Sequence, residues 1–229
     1  MNIIKVRNDS NTGKVAGAIA GTIRDNRYAE VQAIGIGSVN SAIKSIALAR
    51  KYLFNDGLDI VSRPEFVEIA IEENIISAIK IHIFPITAPK ADILFENIKE
   101  DLSSQDRLEE TLPDQAQSPV VNQTADQETL KPIRVAKYSP TGGVASAIAN
   151  AIRENPSVNM DCIGGAAVNN GVKSIMKARN FLNEDGIDIV FQPKLIEIAI
   201  DGNIRTMIRF KIFPWEETER KSNLKENDE

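Results

Sequence analysis

Two glycine-containing junctions are the parts of this sequence whose residue types are best suited to bind a ligand. Gly35 and Gly37 stand directly before Ser38 and a helix-periodic apolar run, and Gly164 and Gly165 precede the matching run 129 residues later. Backbone N–H groups at a strand-to-helix junction, together with the positive end of the helix dipole, can hold a phosphate group. The alternative is that the glycines only permit a tight turn, because a lone glycine pair is a weak motif.

Amide and basic side chains follow both junctions at the same spacing. Asn40 and Lys44 follow the first junction, and Asn169 and Lys173 follow the second. The lysines fall opposite the apolar stripe of the predicted helix, where they either contact an anion or form part of a solvated face. The asparagines can cap the helix backbone as easily as they can contact a ligand.

A second polar segment precedes the other predicted helix of each half. Lys14 lies at the start of that helix, where a basic side chain opposes the helix dipole and so suggests an anionic ligand. Thr12 and Thr141 are the predicted N-caps. The predicted nucleic-acid-binding set comprises Thr12, Gly13, Lys14, Gly35, Gly37, Ser38, Asn40, Lys44, Thr141, Gly142, Gly164, Gly165, Asn169 and Lys173.

The residue types that catalysis needs are not assembled in this sequence. The single histidine, His82, is predicted to be a surface side chain, because it lies opposite the apolar alternation of its strand and Lys211 replaces it in the second half. No serine, histidine and aspartate set recurs in both halves, and no histidine or cysteine cluster has metal-ligand spacing. We therefore expect no enzyme activity, no metal and no cofactor. Cys162 lies in an apolar strand and is expected to be buried.

Charge is distributed unevenly along the 229 residues. Residues 1–86 carry 10 basic and 9 acidic side chains, and residues 132–214 carry 10 and 7. Residues 87–131 carry 4 basic and 10 acidic side chains, and residues 215–229 carry 3 and 6. The mildly basic segments are compatible with a phosphate-binding face. Aromatic residues make up only 5% of the chain, which argues against base stacking as the binding device.

The two halves are copies of one domain. Lys5–Pro85 aligns with Arg134–Pro214 without a gap, and 38 of the 81 pairs are identical. We predict a first copy over residues 1–86, an acidic flexible linker over 87–131, a second copy over 132–214 and a charged tail over 215–229. The linker composition is typical of disorder, although its residues 93–102 are a candidate amphipathic helix.

Within each copy the apolar periodicity predicts the order β-α-β-α-β-β. The second helix is predicted from Ser38 to about Asn55. Two strands follow, Leu58–Ile71, interrupted at Pro64, and Ile75–Phe84, joined by a short hairpin. This order predicts an α+β fold in which each copy forms a four-stranded mixed sheet with both helices on one face.

The residues around both junctions carry a family resemblance. Thr12–Gly21 (TGKVAGAIAG) and Val31–Lys44 (VQAIGIGSVNSAIK) closely resemble the stage V sporulation protein S family. The second copy keeps Thr141-Gly142, Val168-Asn169 and Lys173. The resemblance covers each copy from end to end.

The resemblance implies an Alba-like fold, related to the C-terminal domain of translation initiation factor 3. It also implies nucleic-acid binding linked to development and cell division in bacteria. Alba-like proteins usually bind as dimers through the loops before the two helices and through a long basic hairpin. In this sequence the arginines that flank the glycine before the second helix are replaced by Ile36 and Ser38, and the first hairpin turn is acidic, with Glu72 and Glu73.

Taken together, these patterns predict a sequence-tolerant DNA- or RNA-binding regulator in which two Alba-like domains pair within one chain as a pseudo-dimer, with a homo-oligomer also possible. The 45 residues of the linker span roughly 35–40 Å as a flexible coil, which lets the copies meet. A protein-assembly adaptor that recruits partners through the acidic linker is the alternative, and a small anion or nucleotide sensor is a third hypothesis. We expect a cytoplasmic location and no membrane partner, because no apolar run or signal peptide is evident.

Overall fold

The computed structural model of the protein describes residues 2–71, 74–87, 131–200 and 202–215. The greater part of the predicted linker, including its candidate helix, and the tail from residue 216 onward lie outside the described residues.

The first copy has the predicted order of two helices and four strands. The elements are β1 (Ile4–Val6), α1 (Thr12–Asn26), β2 (Ala29–Ala33), α2 (Ile36–Phe54), β3 (Leu58–Ile71) and β4 (Asn74–Thr87). The second copy repeats this order as β5 (Ile133–Val135), α3 (Thr141–Glu154), β6 (Val158–Ile163), α4 (Gly165–Leu182), β7 (Ile189–Ile200) and β8 (Asn203–Pro214).

The strands of both copies form one mixed sheet of eight strands in the order β1-β2-β4-β3-β7-β8-β6-β5. Strand β1 pairs in parallel with β2, and β5 pairs in parallel with β6. The other pairs within each copy are antiparallel. The copies join between β3 and β7, where the one pair in register is Ser62 with Phe191. Because these two residues occupy equivalent positions in the repeat, an approximate twofold axis passes between them. The predicted fold class is confirmed.

The core lies between the sheet and the helices. Along β2 the residues Ala29, Val31 and Ala33 are buried and the residues between them are half-buried, as expected for a strand with one covered face. Helix α2 is buried over most of its circumference, because it packs on its own sheet and also contacts the second copy. Its Ile43 and Ile46 are fully buried.

Three local predictions are corrected by the structure. The N-cap of α1 is Asn11, whose Oδ1 accepts a hydrogen bond from the Lys14 backbone N–H at 3.0 Å, and the N-cap of α3 is Pro140. Thr12 and Thr141 are therefore the first helical residues and not the caps. Helix α2 begins at Ile36, two residues earlier than predicted, which places Gly37 inside its first turn.

Two further corrections concern the β3–β4 hairpin. Strand β3 continues through Pro64, which pairs with Ile81. A proline is tolerated there because the Pro64 carbonyl oxygen, on the same side of the strand as the missing N–H, accepts from Arg179 of the other copy, so this side faces away from β4. The hairpin is also long and not short, because pairing continues from Leu58 opposite Thr87 to Ile71 opposite Asn74. Its outer part extends beyond the end of β2 as a two-stranded arm, and β7 and β8 form the same arm in the second copy.

Among the described residues, no helix combines the length and apolar character needed to cross a membrane.

Candidate functional site

A reciprocal pair of arginines joins the two copies. The Arg50 guanidinium donates to both carboxylate oxygens of Asp59, each at 2.7 Å, and also to the carbonyl oxygen of Pro193 in the other copy at 2.9 Å. At the equivalent position, Arg179 donates to Asp188 and to the carbonyl oxygen of Pro64 at 2.9 Å. Each arginine therefore ties its own α2 or α4 helix to a strand of the opposite copy.

The two acidic partners are also reached from across the interface. Gln192 donates to the Asp59 carboxylate at 2.8 Å, and the Arg63 guanidinium lies 3.6 Å from the Asp188 carboxylate. Burial alone would raise the pKa of Asp188, but the hydrogen bonds and charge of Arg179 outweigh it and hold that pKa below its ordinary value. The aspartates beside the helix ends thus serve as ion-pair partners at the copy interface.

The opposite face of the sheet carries a second apolar cluster at the same interface. Val61 and Phe84 of the first copy pack with Val190 and Trp215 of the second. The Phe84 and Trp215 ring centroids are 5.9 Å apart. Trp215, which the sequence places in the tail, is buried, and its backbone N–H donates to the Asp188 carbonyl at 2.8 Å.

Helices α2 and α4 begin without the groups that usually satisfy a helix N-terminus. Their N-caps are Gly35 and Gly164, which provide no side-chain hydrogen bond and take φ values of 84° and 87°. Such positive φ values favour glycine, which explains both junctions. Neither helix has an acidic residue in its first turn. The first-turn N–H groups and the positive end of each dipole are therefore unopposed by nearby carboxylates.

The two helix starts meet across the twofold axis. A Cβ atom added to Gly165, the first residue of α4, would lie 3.5 Å from the Cβ of Asn40 and 3.8 Å from a methyl carbon of Ile36. Both of these residues belong to α2. The two predicted glycine junctions, which are 129 residues apart in sequence, thus form one continuous region at the copy interface.

A cavity of about 200 Å³ opens beside the start of α2. The first copy contributes mainly apolar residues, and Asn169 and Lys173 reach it from α4 of the other copy. Asn169 is only 6% exposed. Among the described residues its side chain has no hydrogen-bond partner, and Lys173 has no carboxylate partner. Asn169 and Lys173, which follow the glycine junction of the second copy in sequence, therefore line a cavity at the junction of the first copy.

The loop between β1 and α1 lies against the first junction. A Cβ atom on Gly37 would stand 1.9 Å from Oδ1 of Asn8, so the Asn8 side chain occupies the space that glycine leaves open. In the second copy, Asn170 of α4 donates to the Lys137 carbonyl oxygen at 2.9 Å across the same pair of segments. The contact between Asn8 and Gly37 places the start of α1, with Thr12, Gly13 and Lys14, at the same end of the sheet as the junctions.

The predicted site residues differ in their surroundings. Lys14 is exposed, whereas Lys44 and Lys173 are half-buried. These two lysines are therefore only partly solvated, and the alternative that they form a fully solvated helix face does not describe them. Lys44, like Lys173, has no ion-pair partner among the described residues. Thr141 accepts a hydrogen bond from the Lys177 ammonium at 2.9 Å, which occupies its hydroxyl group.

His82 is not the surface side chain that was predicted. Its side chain is 12% exposed, its Nδ1 hydrogen-bonds to the Tyr28 hydroxyl at 2.5 Å, and its Nε2 lies 2.9 Å from the Glu65 carboxylate. Burial, together with the hydrogen bond to Glu30, raises the pKa of Tyr28 well above its ordinary value. Cys162 is fully buried as expected, and burial raises the pKa of its thiol to about 12.

Comparison with protein families matches this chain twice. The stage V sporulation protein S family matches residues 2–86 and, separately, residues 131–215. These two ranges include both copies and most of the chain. The chain belongs to the stage V sporulation protein S family. Membership of this family points to a sporulation-related regulator, and the family is a non-catalytic one. The second match ends at Trp215, which packs in the apolar cluster at the copy interface.

Sequence reasoning missed the contributions of Phe66 and Ile79 to the cavity and the cross-copy role of Arg50 and Arg179. The arginines carried a usable signal, because each is kept in the repeat together with an aspartate nine residues later. Phe66 carried none, because Leu195 replaces it in the second copy.

Proposed function

We propose that this protein is a non-catalytic, sequence-tolerant nucleic-acid-binding regulator whose two domains act as a pseudo-dimer within one chain. The observation that carries the proposal is the meeting of two uncapped helix N-termini at the twofold axis. Each of these helices also carries a lysine without a carboxylate partner among the described residues, Lys44 on α2 and Lys173 on α4.

The chemistry favours the phosphate backbone as the group recognised. Helix N-termini and lysines attract phosphate without reading base identity. Of the 12 aromatic residues in the chain, Phe84, Phe191, Phe210 and Trp215 are buried in the domains, and none of the exposed ones that the structure describes, Tyr52, Phe66, Tyr138 and Phe181, belongs to the glycine junctions. Binding should therefore tolerate sequence and weaken as salt rises.

The long hairpin arms support a wider contact surface. On the β7–β8 hairpin, Lys194, Glu197 and Arg205 are exposed, whereas the exposed charged residue of the β3–β4 hairpin, among the described residues, is Glu68. A polyanion passing over the twofold axis would therefore favour the β7–β8 hairpin over the β3–β4 hairpin.

The proposal is tested by titrating labelled duplex DNA and single-stranded RNA with the full chain at several salt concentrations. Lys44→Gln combined with Lys173→Gln should weaken binding. It should also reduce the slope of log K against log salt by about 1.8 for duplex DNA, because two phosphate contacts are lost. Lys5→Gln combined with Lys51→Gln removes the same charge from exposed positions on β1 and at the end of α2, and is the matched control.

A control pair that weakens binding as much as the junction pair would show that only net charge matters, and would refute the site. Absence of salt-sensitive binding to either nucleic acid would refute the function.

A second candidate, a protein-assembly adaptor, is favoured by the apolar residues that the β3–β4 and β7–β8 hairpins expose. Phe66, Ile75 and Ile204 are 51%, 72% and 76% exposed. Large exposed apolar side chains mark interaction surfaces. Capture of protein partners that is lost when Ile75 and Ile204 are replaced by serine, with no nucleic acid in the purified sample, would favour this candidate.

A further inference from the structure

We propose that the cavity between the two copies binds one small organic phosphate. Its phosphate group would sit at the start of α2, and its apolar portion would lie against Ile36 and Phe66. This inference goes beyond the proposed function, because the ligand is a small molecule and its binding is measured without nucleic acid.

The anionic end of the ligand is indicated by the charges around the cavity. Gly35 is exposed at the N-terminus of the 19-residue helix α2, which has no side-chain cap and no acidic residue in its first turn. Lys173 of the other copy lines the same space. No aspartate or glutamate occurs among the described residues that line it. This set of groups attracts an anion and repels a cation.

Asn169 provides an independent indication that a polar ligand belongs in this cavity. Its side chain is more than nine-tenths buried, lines the cavity and has no hydrogen-bond partner among the described residues. Among the described residues, the fully buried side-chain polar atoms without a hydrogen-bond partner are Ser62 Oγ and His82 Nε2, so the Asn169 amide opens into the cavity, where a ligand or water satisfies it. An amide can donate to a phosphate oxygen or accept from a ligand hydroxyl.

The other residues that line the cavity indicate the size and polarity of the rest of the ligand. Ile36 and Phe66, which line the cavity, are 52% and 51% exposed, and the buried residues Val39 and Ile79 also line it. The volume of about 200 Å³ is below that of the usual pocket for a drug-sized molecule, about 300 Å³ or more. The ligand is therefore a phosphate ester with a small, flat apolar group, and not inorganic phosphate alone.

The residues at the equivalent positions beside α4 are larger. Ala33 and Ala78, which line the cavity, correspond in the second copy to Cys162 and Met207, both of which are larger and buried. The repeat has therefore diverged where the cavity needs small residues, and we expect one bound ligand per chain. This divergence also supplies matched controls, because Asn40 and Lys44 occupy the positions equivalent to Asn169 and Lys173.

The test is isothermal titration calorimetry of the full chain with phenyl phosphate, inorganic phosphate and phenol. We expect phenyl phosphate to bind at one site per chain and more tightly than either of the other two probes. Asn169→Ala and Lys173→Gln should each weaken phenyl phosphate binding about tenfold, equivalent to one hydrogen bond to a charged group. Asn40→Ala and Lys44→Gln should change it less than about twofold.

Thermal unfolding of each variant distinguishes lost binding from lost structure, and Lys173→Gln, which changes a half-buried side chain, serves if Asn169→Ala fails to fold. The proposal is overturned if phenyl phosphate does not bind, if phenol binds as tightly, or if the control variants lose binding equally. None of these outcomes refutes the proposed nucleic-acid binding, because that proposal requires both Lys44 and Lys173 and is measured with DNA and RNA.

Discussion

Replacing Arg50 by alanine should destabilise the whole protein and not only its first copy. Arg50 holds both oxygens of Asp59 and the Pro193 carbonyl of the second copy. Asp59 is 7% exposed, so its charge is left largely buried when the guanidinium is removed. Removing one partner of a buried ion pair costs about 3–5 kcal/mol.

Two features of the site lower that figure. The Arg50 side chain is 23% exposed, and Asp59 keeps hydrogen bonds from the Ile60 backbone N–H and from Gln192, both at 2.8 Å. We therefore expect Arg50→Ala to lower the free energy of unfolding by about 2–3 kcal/mol. Arg50→Lys should recover only part of this loss, because an ammonium cannot contact two oxygens and a carbonyl in the same planar geometry.

The assay is urea unfolding of the full chain, followed by circular dichroism and by fluorescence of Trp215, the only tryptophan. Trp215 packs on Phe84 of the other copy, so its emission reports separation of the two copies. Arg24→Ala is the control, because its ion pair with Asp56 is 46% and 39% exposed and should contribute only about 0–1 kcal/mol. A loss below about 0.5 kcal/mol for Arg50→Ala, or one no larger than that of the control, would refute the reasoning.

Three further predictions concern single sites. Because Arg179 lowers the pKa of Asp188 in the folded state, this carboxylate stabilises the protein at neutral pH. That stability should be lost as the pH falls through the lowered value, and acid unfolding of Asp188→Asn should show a shallower dependence on pH below about 5. The Cys162 thiol, fully buried with a pKa raised to about 12, should resist alkylation at pH 8 until urea unfolds the chain, and rapid labelling of the native protein would contradict its burial. Gly37→Ala should displace Asn8, so a double-mutant cycle with Asn8→Ala should show coupling, whereas additive effects would mean that the two residues do not touch.

Local patterns were sufficient to predict the elements of each copy. The alternation in Ala29–Ala33 identified a strand with one covered face, and the helical spacing of Ile43 and Ile46 identified the buried side of α2. Element ends were less predictable, because a cap depends on local geometry. The start of α2 at Ile36 follows from the positive φ of Gly35, which the sequence allowed equally at Gly37.

The candidate site was predictable in its residues but not in its assembly. Gly35 and Asn169 were singled out because both copies keep them, yet they were assigned to separate junctions. In the structure they line one cavity, because pairing of β3 with β7 brings α2 and α4 together. Sequence periodicity reports how a segment meets its own core and contains no information about which copy lies opposite.

The sequence by itself therefore determined the duplication, the order of elements, the α+β class and the family, since these follow from local spacing and from identity between the halves. Only the tertiary structure decided that Ser62 faces Phe191, that the arginines reach across the axis, and that an unpaired amide of one copy lies beside the helix start of the other. These contacts join residues more than 100 positions apart. They arise because two sheet edges and two helices can be buried together only in one mutual orientation, and no local pattern encodes that orientation.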